Sequence, residues 1–517
     1  MTPSVRASLR DLGAGGFDLL VIGGGITGAG IAREAALRGL STALVEARDF
    51  GEGTSSRSSR LIHGGLRYLE QGRLHLVWEA LRERRILLRL APHLVRPLPF
   101  ILPVFQGDRV PRWKVSAGLA LYDVLAAGGN VRRHRTLGKR DLLLAEPLIR
   151  ERGLTGGAMY FDAQCDDARL VVATVRAATL HGARAANHVR VTGLISSGTD
   201  IAGALLRDEL SGETGEVRAR VVVNATGPWT DELRRMEDPR AAPLIRPTKG
   251  VHVMVPRSRI GNRNAVIFTS PVDGRVMFVL PWGESSYIGT TDTDSVQGPE
   301  AVTVDDADVL YLLRSANALF PSARLEHADI ISTWAGLRPL LAADPSAAAS
   351  AISREHRIVR GPGGLLTIAG GKLTTWRRMA AQLTDQVAVI LGRPRHDAGR
   401  AASETEPLPG GETAVLGGFR GPGLELGLSE ATVDHLLAHF GAETPAIYNL
   451  CRERPALARP LHPDHRAIEA EVVFAAEREF AMRAEDVVER RLHLGTETRD
   501  HGAAAMPRVT ALLAETR

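Results

Sequence analysis

The period of hydrophobic and polar positions changes sharply over residues 17–46. Phe17–Ile22 is a nearly continuous apolar run, the pattern of a parallel strand buried on both faces. Ile26–Arg38 then has apolar residues at helical spacing, Gly39 stops the helix, and Thr42–Val45 predicts a second strand with Glu46 at its tip. Residues 73–91 repeat the helical spacing with arginines on the opposite face. Residues 97–113 hold too many prolines for a helix and read as an extended, edge-forming stretch. Residues 114–150 contain another helical pattern and then a basic loop with Arg132, Arg133, His134, Arg135, Lys139 and Arg140. Residues 167–182 predict a helix, 183–194 a strand, and 218–223 a strand running into Asn224-Ala225-Thr226-Gly227. From 243 to 300, short alternating runs rich in Val, Ile, Phe and Thr, separated by Gly and Pro, predict an antiparallel sheet inserted between α/β halves. A helix is expected over 303–320 with Thr303 as its N-cap. The segment LLTIAGGKLTTWRRMA repeats the order strand, Gly-Gly, helix; 395–425 reads as a linker, and 428–517 has helical periodicity only.

The junction of the first strand and helix carries Gly23-x-Gly25-x-x-Gly28. One glycine allows the tight turn, one lets the backbone approach a pyrophosphate, and one lets helix and strand pack closely. The helix N-terminus then offers free N–H groups to the anion. Glu46, 18 residues after Gly28, is placed to accept ribose hydroxyls, and its charge disfavours a 2′-phosphate. A strand ending in Ala225-Thr226-Gly227 some 180 residues later shifts the cofactor from NAD to FAD, because two-dinucleotide-domain flavoproteins carry that second glycine close to the cofactor.

Composition narrows the partners. At 517 residues the chain exceeds one core, and two or three domains are expected. Lys+Arg 64 against Asp+Glu 59 is a mild excess, and with 5% aromatic residues and scattered arginines it argues against a nucleic-acid face. Cys165 and Cys451 lack metal spacing, which fits a reduced cytosolic chain. The first 16 residues lack the apolar core of a secretory signal, and no run reaches the roughly 20 apolar residues of a membrane span. Any membrane contact is therefore expected at the surface, through basic and amphipathic faces.

The segments GGGITGAGIAREAALRGL, TSSRSSRLIHGGLRYLE, VNATGPW, RPTKGVHVMVP, IGTTDTD, GLRPL and GGKLTTWR, in that order over about residues 17–380, resemble the FAD-dependent glycerol-3-phosphate dehydrogenases, aerobic respiratory enzymes of the D-amino-acid-oxidase-like superfamily. The resemblance implies an α/β (α+β) fold: a Rossmann-like FAD-binding domain, an inserted antiparallel substrate sheet and a helical C-terminal domain. Boundaries follow: 1–16 an N-terminal extension; 17–395 the oxidoreductase domain, with FAD-binding parts about 17–95, 150–242 and 330–395 and a substrate sheet about 96–149 and 243–330; 396–425 a linker; 426–517 the helical domain. It implies oxidation of sn-glycerol 3-phosphate to dihydroxyacetone phosphate, with hydride passing from C2 to FAD and electrons to membrane quinone. A peripheral position on the inner face of the cytoplasmic membrane, contact with phospholipid and a homodimer are what the family suggests.

By position in the matching motifs, Arg67, Arg354 and Lys372 are assigned to the substrate phosphate, with Tyr68 beside them. Arg338 is assigned to the C2 oxygen, His252 to proton acceptance, and His63 to the flavin or the substrate. The chemistry agrees: removing a hydride from a secondary alcohol needs a proton acceptor and support for alkoxide charge, and a phosphate dianion needs several cations. FAD contacts are expected from Gly23, Gly25, Ile26, Thr27, Gly28 and Glu46, from Thr54, Ser55 and Ser59, and from His63, Gly64, Gly65 and Leu66. Ala225, Thr226, Gly227, Gly371, Lys372, Leu373 and Thr374 complete that set. Two rivals share the superfamily: a glycerol-3-phosphate oxidase using O₂, disfavoured because no insertion is evident between 300 and 330, and an amine or amino-acid oxidase, which would not need so many converging cations.

Overall fold

The computed structural model describes residues 6–295, 298–342, 355–393 and 402–516, with every side chain except that of Arg67. The first apolar run is the strand Gly16–Ile22, at the heart of an eight-stranded sheet. It pairs in parallel with Thr42–Val45 on one side and Thr214–Asn224 on the other. Leu366–Gly370 and Arg184–Ala186 extend the parallel array. Leu19 and Val21 point into a core shared with helices Ile26–Leu37, Asp167–Leu180 and Trp376–Ile390, which bury Ala32, Val171 and Leu383 against them. The stretch expected as one strand over 183–194 divides into Arg184–Ala186 and Val189–Ser197, and the latter pairs antiparallel with Asp200–Asp208.

A second, ten-stranded sheet holds the alternating runs. Ile245–Pro256 lies between Ser285–Gly289 and Ser332–Leu341, antiparallel to both. Ser332–Leu341 and Leu154–Cys165, expected with the FAD-binding parts, are strands of this second sheet. The proline-rich stretch is corrected: Val95–Phe105 is an interior strand, paired along its length with Leu154–Cys165 and at Phe100 and Ile101 with Ala265 and Val266. Those two positions fall between Pro99 and Pro103, so the missing N–H groups do not interrupt the second ladder. The basic loop is also corrected, since Arg135–Gly138 is a strand and Lys139–Ala145 a helix. The helix expected from Thr303 begins at Asp306, capped by Asp305 in a reciprocal capping box with Asp308.

The C-terminal residues form a helical domain around Leu436, Phe440, Ile447, Val472, Phe474 and Leu512. It docks through buried ion pairs: Arg169–Glu479 at 2.7 Å, Arg176–Glu443 at 2.6 Å, and Arg490 and Arg491 on Asp49 at 2.6 Å each. Part of the expected linker is packed: the Ser403 N–H donates to Glu34 at 3.0 Å, and Leu408 is fully buried with its N–H on the Leu90 carbonyl. Among the described residues, no helix is long and apolar enough to cross a membrane.

Candidate active site

The parallel sheet presents the end of Gly16–Ile22 to a cavity of about 1570 Å³ that the second sheet borders on its other side. Gly23 turns the chain with φ 109°, and a Cβ there would come within 2.6 Å of the Ala225 carbonyl. Gly28 sits on the Gly23 carbonyl so closely that no side chain fits, which brings the helix N-terminus over the strand end. Glu46 accepts the Gly24 N–H at 2.6 Å and the Arg48 N–H at 2.9 Å, and burial raises its pKa from the ordinary carboxylate value. The Ser55 hydroxyl accepts the Ile26 N–H at 3.0 Å, so the Thr54–Ser56 turn lies against the mouth of the glycine loop. Ala225, Thr226 and Gly227 follow the adjacent parallel strand and line the same cavity. This bare backbone cradle, with an acid at the neighbouring strand tip and room for an extended ligand, fits FAD.

Across the cavity, His252 and Arg338 come from adjacent strands. His252 lies on Trp334, its register partner, with ring centroids 4.9 Å apart and planes 13° from parallel. Its Nε2 is 2.9 Å from the Ser59 hydroxyl, and Tyr287 abuts its edge. Burial, then the positive charges of Arg338 and Arg60, lowers the His252 pKa to about 3, so the imidazole is neutral at physiological pH. The Arg338 guanidinium lies across Gly250, where a Cβ would collide with it. It donates to Thr290 Oγ1 at 2.9 Å and the Thr291 carbonyl at 3.2 Å, and pairs with Asp292 at 3.1 Å. Lys372 Nζ sits 3.7 Å from the centre of the Tyr68 ring. Thr374 ties its loop to the other wall, accepting the His63 N–H at 3.1 Å and donating to the His63 carbonyl at 3.2 Å.

Most of the expected site residues meet here. Gly23, Gly25, Ile26, Thr27, Glu46, Thr54, Ser55, Ser59, His63, Gly65, Leu66, Tyr68, Ala225, Thr226 and Gly227 line the cavity, as do His252, Arg338, Gly371, Lys372, Leu373 and Thr374. Gly28 and Gly64 do not line it. Gly28 packs beneath the cradle, and the buried Gly64 N–H donates to Tyr122 at 3.0 Å. Thr54 spends its hydroxyl on the Leu337 carbonyl at 2.6 Å and Ser59 pairs with His252, so both reach across to the second sheet. Arg354 and the Arg67 side chain lie outside the described residues. Sequence reasoning missed Trp334, Tyr287, Thr290, Asp292 and Arg57. Asp292 and Thr290 stand inside IGTTDTD and Arg57 inside TSSRSSR, so the motifs contained them; Trp334 and Tyr287 enter only through strand register.

A dinucleotide cradle facing a second sheet across one cavity defines a two-domain flavoprotein oxidoreductase. Comparison with known proteins agrees. Residues 18–377 match the family described as FAD dependent oxidoreductase, and 369–517 match the C-terminal domain of alpha-glycerophosphate oxidase. Glycerol-3-phosphate dehydrogenase 2 of Mycobacterium tuberculosis is 40% identical over 99% of this chain and 87% of its own length. The aerobic glycerol-3-phosphate dehydrogenase of Staphylococcus haemolyticus is 37% identical over 92% of this chain and 86% of its own. The crystal structure of the Bacillus halodurans glycerol-3-phosphate dehydrogenase complexed with FAD superposes with a TM-score of 0.80 at 31% identity, over 98% of this chain and 92% of that one. The chain belongs to the FAD-dependent glycerol-3-phosphate dehydrogenase family, and its cofactor is FAD.

Proposed function

We propose that the protein oxidises sn-glycerol 3-phosphate to dihydroxyacetone phosphate and passes the electrons to a membrane quinone. Bound FAD supplies the hydride acceptor for C2 of the substrate. The observation that carries the reading is the pairing, on adjacent strands of the cavity wall facing the dinucleotide cradle, of a forked cation and a neutral imidazole, Arg338 and His252. The guanidinium offers hydrogen bonds to developing alkoxide charge at the C2 oxygen, and the imidazole takes the hydroxyl proton. Lys372, held over Tyr68, gives the phosphate a compact charge. The relatives described as glycerol-3-phosphate dehydrogenases supply the substrate's identity.

The quinone and membrane parts rest on a different face. Helix Arg112–Leu125 buries Val115, Leu119 and Tyr122, yet its outer side leaves Trp113 and Val124 each 72% exposed. Leu121 on that side also lines the cavity, with Val110, Leu102 and Phe278 nearby in its wall. An exposed apolar stripe flanked by Arg112 and Lys114 suits a peripheral position on the inner, cytoplasmic leaflet, where anionic lipid attracts the cations. Anaerobic bleaching of the flavin by glycerol 3-phosphate tests the substrate. Bleaching that is abolished or strongly slowed in Arg338→Ala and His252→Ala is expected, whereas reduction by sarcosine or glycine alone overturns the reading. Quinone reduction with negligible oxygen consumption is expected in the coupled assay; the reverse would make the protein an oxidase.

A further inference from the structure

We propose that Asp166, His439 and His493 bind one divalent transition-metal ion of borderline softness, such as zinc, at the seam between the oxidoreductase domain and the helical C-terminal domain. The three ligand atoms lie within 4.8 Å of one another. Asp166 caps the helix Asp167–Leu180, His439 lies in the last turn of the helix Glu430–Phe440, and His493 holds a left-handed backbone at φ 58°, so the residues converge from three separate parts of the chain.

The hydrogen bonds around the cluster point to a cation. Asp166 Oδ1 accepts the Arg169 backbone N–H at 3.0 Å, and His493 Nε2 lies 2.9 and 2.8 Å from the two carboxylate oxygens. The His439 Nδ1–H donates to the His435 carbonyl at 3.0 Å, which leaves the Nε2 lone pair facing Asp166 Oδ2 at 3.7 Å. In this structure the His493 Nε2–H meets both Asp166 oxygens, while the His439 lone pair faces the same carboxylate without a hydrogen between them; a cation entering as the His493 proton leaves would be ligated by all three groups. Backbone anchoring of the far ring nitrogen is also how proteins orient metal-binding histidines. Tetrahedral ligands at about 2.0–2.2 Å from zinc stand roughly 3.3–3.6 Å apart; Asp166 Oδ2 lies 2.8 Å from His493 Nε2 and 3.7 Å from His439 Nε2, so shifts of about half an ångström bring the set to ligating separation. Two imidazole nitrogens with one carboxylate favour zinc, cobalt or nickel over magnesium or calcium.

The arginines around the cluster are engaged by other carboxylates: Arg60, whose charge also reaches Asp166, pairs with Asp167 at 3.8 Å. Arg169 is engaged by Glu479 at 2.7 Å and lies over Phe440, and His435, 4.1 Å from the His439 ring, turns its Nε2 to Glu471. The other cluster of this type, Asp49, His188 and Asp486, contrasts: Arg490 and Arg491 already occupy Asp49 at 2.6 Å.

The test uses the flavin-loaded full chain, dialysed against EDTA, reloaded with zinc alone, desalted and assayed for metal by mass spectrometry. The wild type is expected to retain one equivalent and to melt at a higher temperature than its metal-free form. Asp166→Asn keeps the helix cap and is expected to bind at least tenfold more weakly; His439→Gln with His493→Asn is expected to retain none at unchanged flavin content. Retention well below one equivalent by the wild type, or equal retention by the variants, overturns the proposal and leaves a metal-free hydrogen-bonded cluster. Should the double variant fail to fold, zinc-edge X-ray absorption on the loaded wild type decides: two imidazoles with oxygen support the site, and sulfur or water alone refutes it.

Discussion

Trp334 lies directly across the ladder from His252, and their rings stack with centroids 4.9 Å apart. The contact depends on register, because a slip of one residue would turn Trp334 to the opposite face of the sheet. Behind it, the guanidinium of the buried Arg60 lies over both Trp334 and Trp282, and the Trp282 N–H donates to Glu497 of the C-terminal domain at 2.7 Å. The imidazole of the active site therefore rests on a wall whose far side belongs to another domain.

That wall predicts a pH dependence. His252 has its pKa lowered to about 3, first by burial and then by Arg338 and Arg60. In the unfolded chain it titrates near about 6.5. Below that pH the unfolded state takes up a proton that the folded state refuses. The stability from this group is thus fully present above about 6.5 and is lost as pH falls towards 3, by at most about 1.4 kcal/mol per pH unit. Denaturant melts of flavin-loaded wild type and His252→Gln across that window are expected to show a shallower acid loss in the variant; equal slopes would refute the neutral imidazole.

Arg338 predicts a steric result. Its guanidinium crosses Gly250, so Gly250→Ala displaces the fork without removing any charge. Arg338→Ala is expected to lower kcat by about 10²–10³, the range for losing a donor to developing negative charge. Gly250→Ala is expected to show part of that loss, with flavin content intact. Steady-state kinetics on purified variants check this, and an unchanged kcat in Gly250→Ala would detach Arg338 from the reacting oxygen.

Lys372 separates binding from chemistry. A charge-assisted hydrogen bond contributes about 1.5–3 kcal/mol, so Lys372→Ala is expected to raise KM for glycerol 3-phosphate by roughly 10- to 100-fold. Glycerol, which lacks the phosphate, is expected to lose little on the same substitution. Comparable losses for both substrates would place Lys372 elsewhere in the reaction.

The sequence made some of this legible and hid the rest for physical reasons. The cradle was legible because its signals are local: an apolar run, three glycines and a helix all fall within residues 17–38, and Gly28 could be assigned before its contact with Gly23 was visible. Arg338 and His252 carry only weak local signals, a cation in a short Gly-containing segment and a histidine beside Lys249 and Gly250, and the family resemblance supplied their roles. Trp334 escaped because its role comes from pairing with a strand far away in sequence, and Asp292 because it is a loop residue whose partner, Arg338, stands on a distant strand. The prolines of Val95–Phe105 misled by composition, since their harm depends on which N–H groups the neighbouring strand uses. Asp305 displaced Thr303 as the cap because either residue type can cap and each has an aspartate three residues on, Asp308 and Asp306, so the local sequence does not choose between the two starts.

Gly28 gives a stringent test of the cradle. An added Cβ would meet the Gly23 carbonyl, which belongs to the backbone and cannot swing away. Gly28→Ala is expected to force the helix off the strand end, giving protein that purifies with little flavin absorbance and a lowered melting temperature. Gly39→Ala, where a Cβ meets open space at φ 73°, separates backbone strain from lost packing. It is expected to lower stability modestly and keep the flavin.

The exposed stripe of helix Arg112–Leu125 carries the membrane proposal to a measurement. Trp113 and Val124 are each 72% exposed, whereas their neighbours Val115 and Tyr122 are buried, so the outer residues can change without disturbing the packed face. Burying apolar area in a lipid interface contributes about 25 cal/mol per Å², and placing a carboxylate there removes that gain and adds repulsion from anionic headgroups. Trp113→Asp with Val124→Asp is expected to release the protein from sedimenting vesicles of mixed neutral and anionic phospholipid. Oxidation of glycerol 3-phosphate with a soluble dye as acceptor is expected to stay within about twofold of wild type, while reduction of vesicle-borne quinone falls in step with binding. Vesicle binding that survives the double substitution would move the membrane contact to another face of the protein.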